Sequence, residues 1–168
     1  MSRPPGEAAK PVTVRAAAPR DIPQLLSLVR RYWEFEGIAD FQALRVEMLL
    51  QRLLGDPRLG GTWVAQESGR LLGYLVAASV LSLEHGGLMA EIDELFVLPE
   101  ARSRGIGAQL LAAAEAALIA RGHVRLQLQL GVGNAAARAF YERRGYCARD
   151  GYQLLEKPLL PGERSAED

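Results

Sequence analysis

Three groups of residues in this chain have types and spacings that could do chemistry. The first is Arg102-Ser103-Arg104-Gly105-Ile106-Gly107-Ala108, which follows the apolar run Leu95-Phe96-Val97 and Pro99 and leads into strong helix formers from Gln109 to Ile119. Glycine at 105 and 107 lets the backbone approach an anion without an intervening Cβ. The first-turn N–H groups of a helix carry partial positive charge, so the segment reads as a pyrophosphate cradle with two added cationic side chains. The second group is the acid-rich stretch holding Glu84, Glu91, Asp93 and Glu94 beside an apolar strand, where a carboxylate could accept a proton. Strand alternation puts Glu91 and Asp93 on one face and Glu94 on the other, unless a bulge intervenes. The third group is Asn134 to Tyr146: Asn134 suits a helix N-cap, Tyr141 falls two turns later, and Gly145 suits a helix stop. A phenol with a pKa near ~10 still holds its proton at neutral pH.

Glycine motifs for other phosphate ligands fit poorly. A Walker loop needs a Gly-Lys-Ser/Thr ending, which the chain lacks, and a dinucleotide-type Gly-x-Gly-x-x-Gly needs glycine where Leu110 stands. Nicotinamide chemistry is disfavoured for that reason. The remaining pattern, Arg102-x-x-Gly105-x-Gly107, resembles the acetyl-coenzyme A signature of the GCN5-related N-acetyltransferase (GNAT) superfamily. Asn134-x-x-Ala137-x-x-x-Tyr141-x-x-x-Gly145-Tyr146 resembles the same superfamily's closing motif, and it follows in the expected order with a β-like run, Val124 to Leu130, between the two.

The resemblance implies an α/β fold with a mixed sheet in the order β-α-α-β-β-β-α-β-α-β-β, its strands splayed around the cofactor. It implies that backbone groups of Leu95, Phe96 and Val97 hold the pantetheine arm of acetyl-CoA, with the Val97 N–H polarising the thioester carbonyl. The amides from Arg102 through Ser103, Arg104, Gly105, Ile106 and Gly107 to Ala108 would hold the diphosphate. Asn134 would reach the arm from the other side, and Tyr141 would protonate the departing thiolate. Ser103 is a departure, since many members carry glycine there. Counted back from the cradle, Glu91 matches the catalytic glutamate of the histone-acetyltransferase branch. Asp93, Glu94, Glu84, a water chain and the loop residue His85 are the other candidates for the base. Tyr32 and Glu36, near the end of the first helix, would border the acceptor site. Together with Glu84, Glu91, Asp93 and Glu94, Glu36 would give an anionic mouth suited to a cationic amine. In ribosomal-protein N-terminal acetyltransferases a glutamate stands where this chain has Gln129. The expected function is therefore transfer of acetyl from acetyl-CoA to a primary amine by direct attack in a ternary complex, without a metal. The alternative from another class is a non-catalytic acyl-CoA-binding sensor.

The elements that must position these groups are legible in outline. At 168 residues, 49% apolar and 24% charged, the chain suits one domain with a sizeable core, expected over residues 12–158 between polar tails at 1–11 and 159–168. Twenty basic and twenty acidic residues cancel, which gives no electrostatic reason to expect nucleic acid or an anionic membrane as partner. No segment reads as a secretory signal or a membrane span. The single cysteine, Cys147, and the widely separated His85 and His123 offer neither a disulfide nor a metal cluster. A cytoplasmic location is expected. Many members of the superfamily form dimers, but no residue pattern here specifies a seam. Val12 to Arg15 alternates as a strand, Asp21 is a candidate cap for a helix carrying Leu25, Leu28, Val29, Tyr32 and Trp33, and a second helix is expected from Phe41 to Leu54. A hairpin turning at Glu67-Ser68-Gly69-Arg70 follows. The strand Ala90 to Val97 then feeds the cradle, and a last strand is expected over Gly151 to Lys157. His123, at the exit of the helix that follows the cradle, is expected to neutralise that helix's C-terminus.

Overall fold

A computed structural model of the chain describes residues 11–159. It divides into two compact units, one running to Gln129 and one starting at Leu130. The first unit carries β1 (Thr13–Ala16), α1 (Ile22–Glu36), α2 (Ala43–Gly55), β2 (Gly60–Glu67), β3 (Arg70–Ser82), β4 (Gly87–Val97), α3 (Ile106–Ala120) and β5 (Arg125–Leu128). Its strands form one mixed sheet in the order β1-β2-β3-β4-β5. The first three pairings are antiparallel, and β4 pairs β5 in parallel across the α3 crossover. Ser68 and Gly69, both at positive φ, make the tight β2–β3 turn that the sequence signalled.

Cross-strand register assigns the two faces of the sheet. Tyr74, Glu94 and Phe96 share one face, and Trp33 of α1 donates to Glu94, so α1 packs there. The opposite face carries Trp63, Leu75 and Ser79. The Arg121 guanidinium at the exit of α3 lies over Trp63, and His123 bonds Ser79, which puts α3 on that side. Leu25, Tyr74, Leu75, Leu110 and Leu111 are buried between the layers. Each large apolar side chain removed from water contributes roughly 1.5–3 kcal/mol before conformational entropy is charged against it.

The second helix turns a different stripe inward from the one its apolar residues suggest. Val46 and Leu50 are buried, while Leu44, Met48 and Leu49 face solvent. Asp21 does not cap α1: its carboxylate accepts the Ala18 N–H at 2.7 Å and both terminal nitrogens of Arg15 at 2.7 and 2.8 Å. That bidentate pairing is why an aspartate can stand 4% exposed, and it holds the Asp21 carboxyl below its ordinary range.

The second unit contains α4 (Ala135–Glu142) and, among the described residues, no strand. The two closing strands expected after α4 are therefore not formed, Gly151 to Lys157 included. Leu154 and Leu155 are adjacent and both exposed, which gives no single apolar face to bury. Tyr152 is instead held by its own neighbour Arg149, whose guanidinium lies 4.0 Å from the ring centroid and donates to the hydroxyl at 2.7 Å. No helix among the described residues is long and apolar enough to cross a membrane.

Candidate active site

The site begins where β4 and β5 part. Their parallel ladder runs from Met89↔Arg125 to Ile92↔Leu128 and goes no further, while β4 continues to Val97. The Leu98 N–H donates to the Leu72 carbonyl at 2.9 Å, which makes 72/98 a hydrogen-bonded pair. Antiparallel alternation then makes Tyr74/Phe96 the next bonded pair and turns the main-chain groups of Leu95 and Val97 outward, toward the gap left by β5. Phe96 spends its backbone on β3 and gives its ring to the α1 side, with Tyr32 and Tyr74 at centroid distances of 5.8 and 6.4 Å. The free edge thus consists of Leu95 and Val97, and the Val97 carbonyl already accepts from Arg102 Nε at 3.0 Å.

Past Pro99 the chain makes a short 3-10 turn and swings into α3 through two consecutive departures from ordinary backbone. Ser103 has φ 61° and Gly105, at the helix N-cap, has φ 74°. The left-handed region costs a residue with a Cβ about 1 kcal/mol, and glycine almost nothing. Ser103 therefore carries strain at the one cradle position where the sequence departs from glycine. Among the described residues, the amides from Ser103 to Ala108 have no backbone acceptor; the helical ladder starts with the Gln109 N–H on Gly105. Successive unpaired amides at a helix N-terminus are an anion site, and they suit a diphosphate. The arginines are less free than the sequence suggested. Arg104 is paired with Glu67 at 2.6 Å, and Arg102 lies over the rings of Phe35 and Phe96 at 4.7 and 5.7 Å.

The carboxylates are arranged by a bulge. Val76 pairs Glu94 and Ala77 pairs Ile92, so Asp93 is the extra residue in β4. Every residue before it is thereby shifted by one, and Glu91 and Glu94 come to the same face, against strict alternation. Glu94 sinks toward the core: Trp33 Nε1 donates to its Oε1 at 2.9 Å and the Tyr74 hydroxyl to its Oε2 at 2.6 Å. Burial raises the Glu94 pKa against the opposing pull of those two donors, and burial together with the Glu94 charge raises that of Tyr74. Asp93 is also raised, by burial and then by the Glu91 charge. Glu91 accepts from Gln127 Nε2 at 2.7 Å and Gln129 Nε2 at 2.9 Å. Glu84 is not part of this group. It stands in the β3–β4 turn, beyond the start of a strand that rises ~3.3 Å per residue, so roughly 20 Å separate it from Glu94. Tyr32 lies against the Phe96 ring, on the same helix as Trp33, and Glu36 is the exposed last residue of that helix. A groove at that helix end is lined by Arg30, Trp33, Glu34, Ile38 and Phe41.

In the second unit, the Asn134 side chain accepts the Ala137 N–H at 3.0 Å and caps α4 as its residue type suggested. Tyr141 is 8% exposed and stands edge-on to Phe140 and Tyr146, at 5.1 and 5.3 Å. Burial pushes its phenol up to about 12, so it stays protonated at neutral pH. His123 meets the end of α3 as expected, with Nδ1 3.2 Å from the Leu118 carbonyl.

A splayed parallel strand pair, an amide cradle opening a helix, and a row of acids beside the gap agree with what family comparison finds. The model of the acetyltransferase (GNAT) family matches residues 22–146. The chain belongs to that family. As a GNAT acetyltransferase it uses acetyl-CoA, and its reaction is N-acetyl transfer. An uncharacterized N-acetyltransferase of Bacillus subtilis, YhfO, is 28% identical over 142 residues, covering 80% of this chain and 89% of that one. The aminoalkylphosphonate N-acetyltransferase of Salmonella typhimurium is 34% identical over 107 residues, covering 64% of this chain and 68% of its own. An aminoglycoside N-acetyltransferase solved with coenzyme A superposes with a TM-score of 0.77 over 93% of this chain and 99% of that one, and its 17% identity speaks to fold alone. Three features of this acetyltransferase escaped the sequence: the Asp93 bulge, the Trp33–Glu94–Tyr74 link, and the two glutamines on Glu91. Only the glutamines left a signal, as polar residues alternating with leucines through the β-like run from Val124 to Leu130.

Proposed function

We propose that this acetyltransferase acylates a primary amine on a cationic small molecule or peptide, by direct attack within a ternary complex. The observation that carries the reading is the row Glu91, Asp93 and Glu94 beside the free edge of β4, with Glu36 on the neighbouring helix end. The amides of Ser103 to Ala108 take the diphosphate, and the arm runs along Leu95 and Val97. Val97 lies beside the cradle, while the thioester is at the far end of the arm. We therefore assign the thioester carbonyl to the Leu95 N–H, two residues and ~7 Å further along the strand, in place of Val97. Glu91 takes the proton of the incoming ammonium through water, because about 10 Å of strand separates it from Leu95. The amine nitrogen attacks the carbonyl carbon, the C–S bond breaks as the C–N bond forms, and the thiolate takes a proton from Tyr141.

Net negative charge at the acceptor side favours amines without a counter-anion. A phosphonate-bearing acceptor, the class named for the Salmonella relative, would be repelled here. Thiol release from acetyl-CoA tests this across a linear polyamine, a basic peptide and an aminoalkylphosphonate. The reading requires kcat/KM for the cationic acceptors to exceed that for the phosphonate by at least tenfold, and to fall with added salt. Equal values, or a preference for the phosphonate, remove it. Saturable acetyl-CoA binding without turnover on any cationic acceptor would support a sensor instead.

A further inference from the structure

We infer that Gln127 and Gln129 are positioning residues that fix the carboxylate of Glu91 for proton transfer. The inference rests on Glu91 being the general base. Parallel register sets Gln127 directly beside Glu91, and Gln129, one residue past the end of β5, reaches the same carboxylate. Each amide donates to a different oxygen, Gln127 Nε2 to Oε2 at 2.7 Å and Gln129 Nε2 to Oε1 at 2.9 Å. A carboxylate offers about four lone-pair sites. The two amides use one on each oxygen, so the group is held in one rotamer and each oxygen can still receive a proton.

The neighbouring acids are held differently. Both oxygens of Glu94 are engaged from the protein interior by Trp33 and Tyr74. Glu91 is gripped from the strand edge, by exposed partners, on the side where β5 ends and the gap begins. A glutamate without such partners would spread over the rotamers of three torsions and would have to be ordered during the reaction step. Glutamine also suits the task by charge. A lysine or arginine at 127 or 129 would form an ion pair, and a second glutamate would repel the base.

The test is steady-state thiol release by the full chain with its best amine acceptor. It compares Gln127→Met, Gln129→Met, the double variant and Gln127→Asn, each in the native and the Glu91→Gln background. Methionine keeps the length and loses the donor; asparagine keeps the donor and falls one methylene short. We expect each single substitution to lower kcat by several-fold and the double by more than about tenfold, as misplacement of a reacting group does. The KM for acetyl-CoA should stay within twofold. In the Glu91→Gln background the same substitutions should change kcat by less than twofold, because a residue acting only through Glu91 has nothing left to position. Losses that multiply with Glu91→Gln, or a double variant with native kcat, overturn the positioning role while leaving the base in place. Native kcat for Glu91→Gln alone would remove the base itself, and the positioning role with it. Melting temperatures within about 2 °C of the native chain keep a folding defect from imitating the loss.

Discussion

Replacing Tyr74 by Phe should destabilise the protein in a pH-dependent way. The ring is buried among Phe96 and its neighbours, so phenylalanine fills the same space and only the hydroxyl is lost. That hydroxyl donates to Glu94 Oε2 at 2.6 Å. A hydrogen bond to a charged group contributes about 1.5–3 kcal/mol, and its loss leaves one oxygen of a mostly buried carboxylate without its donor. A loss of about 2 kcal/mol in a domain of this size lowers Tm by roughly 4–8 °C. The pH sign follows from linkage. The folded-state pKa of Glu94 lies above its unfolded value, so between those two values the folded state binds more protons and stability falls as pH rises. Removing a donor that favours the ionised form raises the folded value further and deepens that fall. The difference between native and variant should therefore be largest at neutral pH and shrink near pH 4, where the carboxyl is protonated in both states. Circular dichroism melts at several pH values measure it. A Tm difference under about 1 °C at neutral pH, or one of equal size at pH 4, would refute the reasoning.

Other substitutions probe separate parts of the structure. Arg15→Met strips Asp21 of its bidentate partner and should cost about 2 kcal/mol at neutral pH, less than a fully buried pair because Arg15 is partly exposed. The Asp21 folded-state pKa is lowered, so the pair's contribution is present above the unfolded value near ~3.9 and is lost as pH falls through the folded one; a melting difference that persisted unchanged at pH 2 would contradict this. Ser103→Gly should relieve the left-handed strain and raise stability by about 0.5 kcal/mol, with acetyl-CoA affinity unchanged by calorimetry; a lower Tm would count against strain at that residue. Tyr141→Phe should lower kcat on the order of 10²-fold while acetyl-CoA binds within twofold of native, and an undiminished kcat would remove the phenol as the acid.

What the sequence revealed, and what it hid, divides along the range of the interactions involved. Gly105 and the helix formers after it act within one turn, so the start of α3 was legible, as was the Asn134 cap of α4. The β2–β3 turn was legible for the same reason, since Ser68-Gly69 sets its own geometry. Asp21 was misread as a cap because its true partner, Arg15, lies on a different element. The inward stripe of α2 depends on what the helix packs against, and Leu44 and Met48 are apolar without being buried. Among the site residues, Glu91, Asp93 and Glu94 could be named from the motif that follows them. Their facing could not, because a bulge is a mismatch of register between two strands and leaves no mark on either one alone.

That extra residue makes the aim of Glu91 a matter of counting. Flattening the bulge while keeping Asp93 and the cradle end of β4 in register would pair Asp93 with Ala77 and flip the preceding half of the strand, turning Glu91 to the α3 side and Ile92 away from it. The register of β4 on β3, more than the chemistry of any one acid, thus sets which side group is presented to an incoming amine. A one-residue slip of that pairing would recast the site more thoroughly than any single exchange of side chains within it.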